Sequence, residues 1–576
     1  MYGDDKKRNN IIIFAVSLLF TGVLAFVLFK RFTFILSSND DVMLKSIASG
    51  NYTGKPDAHL IYIMYPLGLI FKVLYSLGPG ISWYDGFMVG LHLLCFFLIT
   101  YRMGHVFERL SNKLAGLIIT FGIFTIMDVH FVVLHQYTVL AGVCAATAIL
   151  WSATYDYSDK NIFSRVVVIV MLLLSLWLRK QMFFLAFPLL VMAILFRIFD
   201  KNETTSERFE RFMDALLPIG IFAGLLIISF VAETVAYSSP EWKTFKEYNK
   251  ARTQVYDYNK LPDYYDNIPL YEGLDLSEGD YTVLREYDIV LLKNVDADTF
   301  DALANRADEL KKEWEAFYSV PRKVINETVS TIYGMNATFA GVAVSLCTFA
   351  LLIFFLLKDE KFAGLMVMLA CIYEWSFVAY FTYLERLPER VTHGFHVMLL
   401  CFLTAMFVIV LKKERPARQP SLFWQISMSV ALIFIMTVTG IYSLRTLMDK
   451  EAAMKADALD RTEINAYFKA SPDNVYIINT SVEAALPALM FKDGSSEAFN
   501  GIMAGNWTLG GPIEKAHEGR LIARPVKEAL MGDDNVYYVM LKEKPAEWLS
   551  EYFGTCTEKD SFTVSSGKEY AVYRLK

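Results

Sequence analysis

The sequence predicts a polytopic α-helical membrane protein of about eleven spans that carries a C-terminal extracytoplasmic α/β domain. Three observations predict this class. The 576 residues are 55% hydrophobic and only 20% charged. The apolar residues gather in blocks of about 20, the length a helix needs to cross a bilayer. The last stretch drops that pattern for short runs rich in β-branched and aromatic residues. The net charge of -6 is small and dispersed, and no basic patch is interleaved with aromatics, so nothing points to a nucleic-acid partner. Six cysteines, five of them in apolar runs and Cys556 alone near the C-terminus, include no CxxC spacing. They signal neither a zinc site nor a disulfide framework.

The first apolar run, Ile11 to about Ile35, follows the basic "MYGDDKKRNN". It is longer than the core of a signal peptide and lacks a small-residue cleavage site, so it reads as a retained helix. Further spans are expected at Tyr84 to Tyr101, Leu114 to Met127, Val132 to Ala153, Ile162 to Leu178, Met182 to Phe196 and Ala215 to Ala236. The remaining four are Ala337 to Leu357, Phe362 to Phe381, Val391 to Leu411 and Leu422 to Tyr442. The span ending at Leu178 meets "LRKQ", where a break or bend is expected.

Lys and Arg in the short loops set the orientation. With Lys6, Lys7 and Arg8 cytoplasmic, every other basic short loop also falls inside, provided Ala58 to Gly78 does not cross. That segment is interrupted by Pro66 and Lys72 and reads as an amphipathic helix lying in the outer interface. The chain then divides into a membrane domain, residues 1–444, with outer loops 36–83 and 237–334, and an outer soluble domain, residues 445–576. In the soluble domain "NVYIINT", "NVYYVML", "SFTVSS" and "EYAVYRL" read as strands, whereas "PAEWLSEYF" and "SVEAALPALMF" read as helices. Such a chain belongs at the plasma membrane, with its N-terminus cytoplasmic.

This topology collects charge on the outer face. Asp40 and Asp41 emerge just beyond the first helix, "MDVH" brings Asp128 and His130, and Arg179 with Lys180 arrives at the fifth span. "LERLPERVTHGFH" adds Glu385, Arg386, Glu389, Arg390 and His393. Each loop read alone is a solvated turn, and Arg386 and Arg390 could pair with Glu385 and Glu389. Their four-residue spacing would also place both guanidinium groups on one helical face, where they suit a phosphate. Adjacent carboxylates repel and raise one another's pKa, so the Asp pair is unfavourable unless something uses it. One use is general-base attack by an acceptor hydroxyl. Another is Mg²⁺ or Mn²⁺, with Asp128 and His130 as further ligands.

An acidic pair outside the first helix, an interfacial helix in a long first loop, many spans and an outer α/β domain together resemble the GT-C glycosyltransferases of bacteria. At the level of motifs the likeness rests on "NDD", Asn39 to Asp41, and on "ERLPERV", Glu385 to Val391, which is similar to the Arg-Pro-Arg type loops of that family. The resemblance implies transfer of a sugar from a polyprenyl-phosphate donor to a glycan, teichoic acid or glycolipid acceptor at the membrane. It implies a general base at Asp40 or Asp41 and donor-phosphate binding by Arg386 and Arg390, with Arg179 and Lys180 as further cations. Asp128 would stand in a second acidic motif, but Asp-Val-His departs from the family's two acids and puts the metal in doubt. His59 and Trp507 are the expected acceptor contacts, although Trp507 in "FNGIMAGNWTLGGP" also reads as a packing residue in a Gly-rich loop.

Two other classes fit the same composition. A lipid or glycan transporter or flippase would bury ionisable groups at mid-membrane, and the expected spans hold almost none apart from Glu374. A non-catalytic scaffold of surface-polysaccharide assembly would need neither the acid pair nor the arginines.

Overall fold

The computed structural model describes residues 2–107, 110–154, 162–199, 205–293, 295–317, 320–333, 340–357, 360–413, 422–482, 486–491 and 499–576. The chain is mostly helical, and among the described residues eight helices are long and apolar enough to cross a membrane. They are Arg8–Arg31, Trp83–Val106, Asn112–Val133, Tyr137–Thr154, Lys180–Ile198, Leu216–Ala236, Lys361–Tyr383 and Glu389–Val410. The expected spans at Ile162 and Ala337 coincide with shorter apolar helices, Ile162–Leu178 and Gly341–Leu356. The last expected span opens a 49-residue helix, Leu422–Ala470, about 74 Å long at 1.5 Å per residue.

The segment with Pro66 forms a helix of 13 residues, Tyr65–Leu77, about 20 Å long and too short to span. Pro66 opens this helix rather than breaking it, because a first-turn residue has no intrahelical N–H bond to lose. The break at "LRKQ" is a turn: one helix stops at Leu178 and the next starts at Lys180, with Arg179 extended between them.

Every residue of the helix Tyr137–Thr154 is buried, which makes it the centre of the bundle. It packs closely on Glu389–Lys413 through facing glycines. A Cβ on Gly142 would lie 2.8 Å from the Gly394 Cα, so small residues set this helix-to-helix distance.

Eight strands lie among the described residues: β1 (Ile35–Leu36), β2 (Leu134–His135), β3 (Val475–Ile478), β4 (Ala488–Leu489), β5 (Gly501–Met503), β6 (Val536–Leu541), β7 (Cys556–Thr563) and β8 (Glu569–Leu575). Five form the C-terminal sheet in the order β5-β3-β6-β8-β7, with β3 parallel to β5 and β6, and β8 antiparallel to β6 and β7. Its core is shared with the long loop. Val283 and Leu291 pack among Ile477, Tyr538 and Ala571, and the Asn479 side chain donates to Asp288 at 2.6 Å.

The other three strands form a small sheet, β2-β1-β4, in which β1 is parallel to β2 and antiparallel to β4. It ties the chain just past the first helix to the end of the third expected span and to the C-terminal segment. Two expectations change here. "SVEAALPALMF" is not a helix at its described end, because Ala488–Leu489 is drawn into pairing with Leu36 and Ile35. "MDVH" is not a loop: the helix Leu110–Val133 runs through it, so Asp128 and His130 lie within its last two turns.

Candidate functional site

Ser38 begins the site. It caps the helix Asn39–Ser49, its Oγ accepting from the Asp41 backbone N–H (3.3 Å) and donating to Asp41 Oδ2 (2.7 Å). Asp41 Oδ1 accepts from the Tyr84 hydroxyl (3.0 Å) and from the Tyr137 backbone N–H (3.3 Å). Asp41 is therefore fully buried and spent on joining three helices; burial pushes its pKa up to about 7. One residue earlier the geometry reverses. Asp40 turns into a cavity of 820 Å³, and among the described residues its carboxylate accepts no hydrogen bond. Desolvation raises its pKa, while the charges of Arg390 and Arg179 pull it back.

The cavity lies where the end of the helix bundle, the long loop and the C-terminal segment meet. Arg179, at the turn between two helices, donates to the Tyr137 hydroxyl (2.7 Å) and stacks over Tyr62 with 5.1 Å to the ring centroid. Arg390 lies in the first turn of Glu389–Lys413 and, among the described residues, makes no ion pair. Arg386 does not share a helical face with it, because the helix starts only at Glu389. It sits instead in the preceding turn, paired with Asp257 (3.1 Å) and lying over Tyr258 at 4.1 Å. The neighbouring glutamates do not take these arginines: Glu385 pairs with Lys323, and Glu389 with Lys450 (3.5 Å). Arg386 Nη1 is buried without a hydrogen-bond partner among the described residues, a donor left for a ligand.

Further cations line the same space. Arg252, held by Asn249 and Tyr287, comes from the long loop, and Arg461 and Lys469 come from the long helix. Lys45 is also on the lining but is engaged by the buried Asp85 at 2.9 Å. Apart from that pair, six cations and two carboxylates, Asp40 and Asp257, are on the lining among the described residues. Among the described residues the wall thus carries more positive than negative side chains, a balance suited to an anion. The same balance fits Mg²⁺ or Mn²⁺ poorly, and among the described residues no three His, Cys, Asp or Glu side chains are arranged to hold a metal ion.

Backbone strain gathers here as well. Five described non-glycine residues have φ in the left-handed region, and three of them line or adjoin the cavity: Ile61 (64°), next to Tyr62; Tyr287 (62°); and Glu385 (54°), next to Arg386. A β-branched Ile in that region is held there only by its surroundings, and such strain is concentrated at functional sites. A π-helical turn, Gln254–Tyr258, likewise delivers Asp257 and Tyr258 to the lining.

Of the residues singled out by sequence, Asp40, Arg179, Arg386, Arg390 and Trp507 all line this cavity. Trp507 is mostly buried and packs against Tyr62 with ring centroids 4.7 Å apart. Lys180 is not on the lining and is exposed at its helix start. His59 binds Asp57 (2.7 Å) and stacks on Trp242 (5.0 Å), away from the lining. Asp128 is buried inside the bundle, one oxygen engaged by His92 and the other by His393 (3.2 Å), and neither it nor His130 reaches the cavity. Asn506, in a glycosylation sequon, is buried in a network with Tyr52, Thr508 and Glu514. No protein-family model matches the chain, and no curated protein matches it.

Proposed function

We propose that the chain is a membrane-embedded glycosyltransferase of the GT-C kind, acting at the outer membrane face on a polyprenyl-phosphate-linked sugar. The observation that carries this reading is one cavity at the end of an apolar helix bundle, lined by a carboxylate without hydrogen-bond partners among the described residues and by a cluster of arginines. A polyprenyl phosphate keeps its tail in the bilayer and its head at the surface, so its donor phosphate needs cations at the rim of the bundle. Arg386, Arg390 and Arg179 supply them.

In the step itself an acceptor hydroxyl oxygen forms a bond to the anomeric carbon. The bond from that carbon to the phosphate oxygen breaks, and its electron pair leaves with the polyprenyl phosphate. Asp40 takes the hydroxyl proton. The arginines offset the second negative charge that develops on the departing phosphate, in a partly desolvated site where such contacts are strong. Asp41 serves as a positioning residue, because its three partners fix the helix start that presents Asp40. The test is release of polyprenyl phosphate from a labelled polyprenyl-phosphate sugar by the purified full-length protein. No release with any hexosyl or pentosyl donor, from protein that binds the lipid, would refute the reading.

A further inference from the structure

Beyond the bundle, the helix Leu422–Ala470 runs on along the C-terminal sheet, where Ile464 and Phe468 pack with Tyr476 and Ile478, and another side of it forms one wall of the cavity. Ala458, Arg461, Thr462, Asn465, Ala466 and Lys469 all line it. Arg461, Asn465 and Lys469 recur every fourth residue and therefore share one helical face. Ala458 and Ala466 keep that face low enough for a ligand to lie along it.

The distances along this helix matter. Lys450 pairs with Glu389, the first residue of its helix, so Lys450 marks the level at which that bundle helix begins. Counted from Lys450 at 1.5 Å per residue, Arg461 lies about 16 Å and Lys469 about 28 Å further along the axis. The second figure is close to the whole thickness of a bilayer's hydrocarbon core. A lipid phosphate held at Arg386 and Arg390 does not extend that far. Asn465, between the two cations, has a buried Oδ1 without a hydrogen-bond partner among the described residues, an acceptor suited to a sugar hydroxyl. Arg461 is braced by a bond from Nη1 to the Leu486 carbonyl (2.8 Å), which fixes the stem of its side chain beside β4.

Resting on the glycosyltransferase reading, we propose that this face of the long helix is an acceptor track for an anionic glycan, one carrying phosphate or carboxylate groups along its length. Arg461 and Lys469 engage successive charges, Asn465 binds an intervening hydroxyl, and the chain's reactive end is led down to Asp40. Trp507 and Tyr62, on the lining near that end, offer aromatic faces to the terminal sugar.

The experiment is equilibrium binding to full-length protein in nanodiscs without donor. Three oligosaccharide probes of matched length are used: a polyuronate, a phosphodiester-linked glycan and a neutral glucan. At least one anionic probe is expected to bind about tenfold or more tighter than the neutral one, with affinity falling as salt rises. The stronger of the two anionic probes identifies the charge carried by the natural acceptor. Arg461→Gln with Lys469→Gln should abolish the preference, Asn465→Asp should weaken the anionic probe alone, and Lys469→Arg should retain binding. Equal binding of neutral and anionic probes, no binding of any probe, or an unchanged preference in the double Gln variant would each overturn the proposal. Polyprenyl phosphate release is measured in parallel on the same protein in nanodiscs that contain a labelled polyprenyl-phosphate sugar, with each probe in turn as acceptor. Its persistence with no anionic preference rejects the acceptor track and leaves the glycosyltransferase reading standing, whereas its absence counts against that reading.

Discussion

Replacing Asp40 with Asn separates a base from a structural carboxylate, because the structure gives opposite settings to two neighbouring acids. The Asp40 carboxylate has no hydrogen-bond partner among the described residues, so Asp40→Asn orphans no donor. It also removes a charge that is partly desolvated. Folding stability should therefore change by no more than about 0.5 kcal/mol, as at an uncommitted surface position. Asn cannot take the acceptor's proton, and loss of a positioned base typically costs 10²-fold or more. That loss corresponds to about 2.7 kcal/mol on the barrier. Asp41→Ala offers the contrast: it strands the buried Tyr84 hydroxyl and the Tyr137 N–H, at about 1–3 kcal/mol for each unpaired group. The assay pairs initial rates of polyprenyl phosphate release with thermal melting and donor affinity. Near-normal turnover by a well-folded Asp40→Asn protein would refute the base assignment and remove most of the case for sugar transfer.

Arg386→Lys and Arg390→Lys should each weaken donor binding by about 1.5–3 kcal/mol, because Lys keeps the charge and loses the planar fork; unchanged donor affinity in both would make the turn merely structural. Asp41, with a folded pKa of about 7 against an ordinary 3.8, binds its proton more tightly in the folded state. Stability should accordingly fall as pH rises from about 4 to 7 and level off above, by a few kcal/mol at most, and Asp41→Asn should flatten that slope in denaturation curves. If ionised Asp40 is the base proposed above, activity should rise with pH through its raised pKa, and a rate that declines over that range contradicts the mechanism. For topology, a cysteine at Ser471 should react with an impermeant thiol reagent in intact cells and one at Ser111 should not, and the reverse pattern would invert the outer and inner faces.

Much of the architecture was legible because bilayer-length apolar blocks and β-branched runs are local signals. The exceptions are contacts between distant residues. Asp128 looked like a helix end because a lone carboxylate is costly among apolar neighbours, but His92 and His393 meet it from two other helices and let the helix run on to Val133. Ala488–Leu489 looked helical and is a strand because Ile35 and Leu36 offer an edge more than 450 residues earlier. In the cavity, Asp40 and the arginines of the short turns stood out because charge at a span's end is conspicuous. Arg252, Arg461 and Lys469 did not, since along a charged helix nothing local distinguishes a cavity-facing cation from a solvated one.

The ionisable groups inside the bundle bear on the choice between transfer and transport. The expectation that the spans hold almost none apart from Glu374 was too spare, since Glu374 faces His396 at 3.3 Å and Asp128 sits between two histidines. Buried charge in a membrane domain is by default a sign of function, a substrate or proton path above all. None of these groups lines the described cavity, and each carboxylate is met locally by imidazole. Their placement suggests support instead. His393 lies three residues after Arg390 on the same helix, and the next residue, Gly394, abuts Gly142 on the central helix. That central helix begins at Tyr137, which holds both Asp41 and Arg179. The pair of Asp128 and His393 thus locks the rotation of the helix that presents Arg390, and the glycine contact fixes its distance from the residue that positions Asp40. A transporter would need these contacts to break and re-form across the membrane; a transferase needs them to hold still.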